Sequence, residues 1–132
     1  MKKNFQIHHV LILCIGILLT SCEKQQLLRS SSKVEKELEA TWQKIDMTSQ
    51  QSHISWRFSE GKVSLIKHGE VLAMGDYSVD VGTTRIYIST SNFPEPGYDY
   101  MNGKWKVLTL DGHALVIAGS YSGGVLESEF TK

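Results

Sequence analysis

From position 40 to the C-terminus, apolar residues recur at every second position, in short runs broken by turn residues. A period of two marks strands with one buried face. The clearest run is 53–59, where Ile54, Trp56 and Phe58 share one face and His53, Ser55 and Arg57 the other. The pattern predicts strands at 40–47, 53–59, 62–67, 71–79, 85–90, 104–110, 113–118 and 125–131. Gly61, after Glu60, is free to take positive φ and marks a turn, and His68-Gly69 marks another. Gly75-Asp76 suggests a bulge or bend in the fourth strand. Asp111-Gly112 is the strongest hairpin signal, because both central positions of the favoured turn need positive φ. Turns recur about every 8–12 residues, as in a small all-β sandwich or barrel. Consecutive hairpins without a helix-length insert favour an up-and-down meander, and closing it removes the exposed edges. The expected fold is an all-β, eight-stranded antiparallel up-and-down barrel. Ahead of it, Ser32-Lys33-Val34-Glu35 fits a capping box, and Val34 and Leu38, four apart, share one face of a short helix.

The N-terminus follows a different pattern. Lys2 and Lys3 lead into an apolar run from Val10 to Leu19, which ends at Leu19-Thr20-Ser21-Cys22. A basic start, a short apolar core and small residues make a secretory signal. A spanning helix needs about 20 apolar residues, and polar Thr20, Ser21, Glu23 and Lys24 stop this run too soon. Leu19-Thr20-Ser21-Cys22 resembles a bacterial lipobox. The resemblance implies that residues 1–21 are removed and that Cys22 becomes an acylated N-terminus, carrying palmitate-type chains. The protein would then sit in the cell envelope, most simply at the outer membrane, with its face open. Each buried methylene of an acyl chain adds about 0.8 kcal/mol, so several chains anchor firmly. Residues 22–33 read as a lipidated tether, and 34–132 as the barrel domain.

Composition narrows the chemistry. The whole chain carries 14 basic and 14 acidic residues; without Lys2 and Lys3 the balance is 12 against 14, or −2. That is no electrostatic footprint for nucleic acid, and no polybasic patch for anionic lipid. Of two cysteines, Cys14 leaves with the signal and Cys22 is acylated, so the domain holds no disulfide. His53, His68 and His113 show no ready metal-ligand spacing. The serines lie in no nucleophile elbow, and Glu127 and Glu129 read as solvated strand positions. No enzyme, metal or cofactor is expected.

The domain also resembles the bacterial lipocalin-like domains. Leu38-Glu39-Ala40-Thr41-Trp42 looks like their opening Leu-x-Gly-x-Trp, with alanine in place of glycine. Ile54-Ser55-Trp56-Arg57-Phe58-Ser59-Glu60-Gly61 fits their acidic-Gly hairpin, and Gly75-Asp76-Tyr77-Ser78-Val79 their Gly-x-Tyr-x-Val strand. The paired strands around Asp111-Gly112 and the finish Phe130-Thr131-Lys132 fit as well. The arginine that closes the base of lipocalins proper has no clear counterpart. Lys132 could cover Trp42 by a cation–π contact, but a terminal lysine reads more simply as exposed.

The resemblance implies a non-enzymatic binder of a small apolar ligand, held by Trp42, Trp56, Phe58, Tyr77, Ile88, Trp105 and Ile117. Eight strands leave an interior that side chains fill or that holds one small ligand. A filled barrel would act through its surface, as a structural or interaction lipoprotein: an accessory subunit of an outer-membrane complex, or an inhibitor of a hydrolase. Two surface features bear on this. Loop 91–103 carries Phe93, Tyr98, Tyr100 and Met101, and serves either as a rim for ligand or partner or as a plug of core aromatics. In hairpin 104–118, Trp105 and Val107 lie on one face, while Leu108, Leu110, Val116 and Ala118 make the other apolar too. The N-terminal segment or a partner is expected to cover that face.

Overall fold

The computed structural model describes residues 29–45, 53–121 and 124–132. The predicted signal, Cys22, most of the predicted tether and the end of the first predicted strand lie outside the described residues. Helix α1 (Ser31–Leu38) precedes eight strands: β1 (Ala40–Ile45), β2 (Ile54–Ser59), β3 (Lys62–Lys67), β4 (Glu70–Val81), β5 (Ile86–Ser91), β6 (Gly103–Leu110), β7 (Ala114–Tyr121) and β8 (Gly124–Thr131). They form a closed barrel in the order β1-β2-β3-β4-β5-β6-β7-β8, every neighbour antiparallel. β1 closes the ring on β8 through Gln43↔Thr131, Lys44↔Phe130 and Ile45↔Glu129. This is the expected all-β up-and-down barrel with a short N-terminal helix, an architecture consistent with a small lipocalin-like barrel.

The helix starts earlier than the capping box suggests. Ser30, not Ser32, is the cap, its hydroxyl accepting from the Lys33 amide at 3.3 Å. Val34 and Leu38 are fully buried, as their spacing requires. The helix packs beside β4 at the end of the barrel where β1 begins. There Trp42 Nε1 donates to the Leu38 carbonyl at 2.9 Å. Lys132 Nζ lies 4.5 Å from the centre of the Trp42 ring and donates to the Glu37 carbonyl at 3.4 Å. Lys132 is exposed, as expected, and also makes the cation–π contact with Trp42; it and α1 close this end.

Two irregularities and one turn differ from expectation. Gly75 stays in register opposite Val63, and the β3–β4 shift falls at Leu65/Ile66, leaving Leu72 as the extra residue. Gly75 has another purpose: a Cβ there would lie 2.6 Å from Cδ2 of Phe93, whose ring covers the strand. In β6 the shift between Val107 and Thr109 makes Leu108 the extra residue. One added residue reverses the facing of those beyond it, so Leu110 turns into the core at 6% exposure instead of joining the outer face. Paired positive φ occurs at Glu60-Gly61 and His68-Gly69, not at Asp111-Gly112. There the Asp111 carboxylate accepts from the amides of His113 (2.7 Å) and Ala114 (2.8 Å), building the turn from a side chain.

Candidate functional site at the barrel mouth

The seven residues expected to line the interior all meet inside the barrel. Trp42, Ile88 and Ile117 are fully buried, and Trp56, Phe58, Tyr77 and Trp105 nearly so. Their rings pack on one another: Trp56 meets Trp105 edge-on at 5.7 Å, Phe58 meets Tyr77 edge-on at 5.1 Å, and Trp56 also lies tilted against Phe130 at 5.3 Å. Edge-to-face contacts at these distances are favourable beyond simple burial. Burial, then the charges of Glu39 and Glu35, pushes the Tyr77 hydroxyl above its ordinary pKa, so it stays neutral. These side chains belong to one buried cluster that runs from the helix end to the Trp56–Trp105 layer.

Above that layer the barrel opens. Trp105 pairs with Gly119 across the β6–β7 ladder, and the indole lies against the bare glycine. Leu126, opposite Gly119 on β8, belongs to the same inner row as Ser128-to-Phe130 alternation requires, yet is 38% exposed. Between Tyr100, Gly103, Trp105, Gly119 and Leu126 lies a largely apolar pocket of about 400 Å³. Lys44, opposite Phe130, also falls on the inner row and is half-buried. Its place two residues after Trp42 was the signal for it in the sequence.

The 91–103 loop fixes the pocket's wall. Trp105 Nε1 donates to Thr90 Oγ1 at 2.9 Å, and the same hydroxyl donates to the Met101 carbonyl. The Phe93 amide donates to Asn102 Oδ1 at 2.9 Å, and Asn102 Nδ2 donates back to the Phe93 carbonyl at 3.4 Å. Phe93 and Met101 are buried in the core, Tyr98 is half-buried, and Tyr100 is 56% exposed on the rim. Phe93 and Met101 therefore plug the core, as the plug reading expected, while Tyr100 stays accessible on the surface.

Elsewhere, the His53 and His68 rings lie tilted against each other with centres 4.8 Å apart. Their separation in sequence hid this; the β2–β3 register, ending at Ile54↔Lys67, brings them together. Among the described residues no three His, Cys, Asp or Glu side chains cluster as a metal site, and no helix is long and apolar enough to cross a membrane. On the outer surface Leu108 is 44% exposed, and Val71, Leu72 and Met74 are exposed near the β3–β4 turn. Among the described residues, the N-terminal segment reaches the β6–β7 hairpin through Arg29 Nη1, which donates to the Leu110 carbonyl at 3.1 Å. No protein-family model matches the chain, and neither a curated protein nor a solved structure shows significant similarity to it.

Proposed function

We propose that the protein is a lipid-anchored lipoprotein of the bacterial envelope, a non-enzymatic lipocalin-like binder that holds a small apolar ligand at the barrel mouth. The observation that carries this reading is the apolar pocket of about 400 Å³ between Tyr100, Trp105, Gly119 and Leu126. Its volume lies within the range of about 300–1,000 Å³ typical of small-molecule sites. The deeper aromatics act as its floor, with Trp105 as the shared boundary. Cys22 supplies the membrane attachment, as the lipobox resemblance implies. Titration of the full chain with the neutral dye N-phenyl-1-naphthylamine tests the pocket. Energy transfer from tryptophan to dye, lost in Leu126→Asp, supports it; no saturable transfer refutes it.

A second reading is favoured by one observation. Val71, Leu72 and Met74, at the start of β4 beside the β3–β4 turn, are 52%, 40% and 51% exposed. An apolar tip of this kind suits contact with an envelope protein, as an accessory subunit or a hydrolase inhibitor. A partner cross-linked through position 74 would support that role.

A further inference from the structure

A second cavity lies at the opposite end of the barrel, beside α1. The β5–β6 ladder ends at Ile86↔Val107, while β6 runs on to Leu110. The β4–β5 turn closes on itself instead, the Gly82 amide donating to the Arg85 carbonyl at 2.9 Å. The two hairpins part, and the gap forms a cleft of about 650 Å³.

Three cations line the cleft: Arg29, Arg85 and Lys106. Arg29 is fixed there by its bond to the Leu110 carbonyl and by Glu37 Oε2 at 3.3 Å. That carboxylate oxygen is buried and in ionic contact without a well-directed hydrogen bond, so Arg29 is its counter-charge. Arg85 and Lys106 are exposed and form no ion pair among the described residues. The one carboxylate in the lining, Asp111, is already turned to the amides of His113 and Ala114. Thr83, Thr84 and Thr109 add hydroxyls, while Val81, Ile86, Val107 and Leu108 supply apolar wall.

We propose that this cleft binds an anionic amphiphile: a phosphate or carboxylate head between Arg85 and Lys106, with a single apolar chain along Ile86, Val107 and Leu108. Two unmatched cations beside hydroxyls favour an anion through charge-assisted hydrogen bonds. A purely polar anion would leave the leucine and valine wall wet, and a neutral apolar ligand would bury the cations without a partner. The site is separate from the mouth pocket and shares no residue with it.

The test uses the full chain in zwitterionic phosphatidylcholine nanodiscs. Hydrogen exchange is followed in peptides spanning 82–86 and 106–111 during titration with octyl phosphate below its micelle threshold. Slowed exchange in both peptides is expected, with binding about tenfold weaker in Arg85→Gln and again in Lys106→Gln. Leu108→Ser is expected to weaken octyl phosphate while leaving inorganic phosphate unchanged. These side chains are exposed, and circular dichroism of each variant checks that it folds. Absence of protection overturns the proposal. So does equal protection by octyl glucoside, equal affinity for inorganic phosphate, or unchanged binding in both charge variants. Leu126→Asp, which removes the mouth pocket, leaves the expected protection intact.

Discussion

A Cβ on Gly119 would lie 2.4 Å from Cε3 of Trp105, so the indole occupies the space that a side chain at 119 would need. The contact joins the core to the mouth: Trp105 packs on Trp56 below and borders the apolar pocket above. Gly119→Ala forces the ring aside. Overpacking of this kind costs about 1–3 kcal/mol. Urea denaturation should show that loss, and dye binding at the mouth should weaken in parallel. Unchanged stability would mean that Trp105 has room to move.

Thr90 holds the same indole from the other side. Its buried hydroxyl accepts from Trp105 Nε1 and donates to the Met101 carbonyl. Thr90→Val preserves the shape and leaves both partners unsatisfied, at about 1–3 kcal/mol for each stranded group. Thr90→Ser should recover most of the loss. Chemical denaturation of the pair checks this; equal costs for valine and serine would point to the methyl group rather than the hydroxyl.

At the closed end, Lys132 covers Trp42. Lys132→Ala should destabilise by about 0.5–1 kcal/mol, the range for an exposed cation–π contact. Lys132→Arg should retain most of that stability, because guanidinium also stacks on an indole. An alanine variant as stable as the parent, by thermal and urea unfolding, would show the contact to be neutral.

Acid stability follows from two carboxylates. Asp111 is held below its ordinary pKa by the amides of His113 and Ala114, and Asp76 by hydrogen bonds from Asn92 and Lys62. A folded-state pKa below the unfolded value of about 3.9 means that the folded protein binds the proton less readily. The stabilisation is present above that value and is lost as pH falls through the folded pKa. Melting temperature should therefore drop below about pH 4. Asp111→Asn, which keeps an acceptor oxygen but has no proton to gain, should show a shallower drop. Parallel acid curves for parent and variant would exclude Asp111 as a contributor.

Much of this barrel was legible because its strands obey a period of two. Ile54-Trp56-Phe58 and the turn at Gly61 read directly as a hairpin with a buried face, and the structure has it. The extra residues at Leu72 and Leu108 were not legible. A bulge leaves no apolar signature of its own, and Leu110 looked outward until one residue was added ahead of it. Asp111-Gly112 carried the strongest turn signal, yet its geometry comes from the Asp111 side chain, which competes with the backbone route. The interior aromatics were legible as a group from alternation alone. Their mutual packing was not, since it depends on register: Trp42↔Trp56 and Trp105↔Gly119 are cross-strand neighbours that no local pattern pairs. The closed-end cleft was likewise invisible, because it arises where two hairpins of unequal length part.

The central claim is that the mouth holds a small apolar ligand. Native mass spectrometry of the gently purified full chain tests it most directly. The account predicts a reproducible extra mass of small-molecule size, lost in Leu126→Asp and retained in Arg85→Gln. A uniformly ligand-free mass, with no uptake of added apolar compounds, would contradict it and leave the exposed surface around Val71, Leu72 and Met74 as the place where the protein acts.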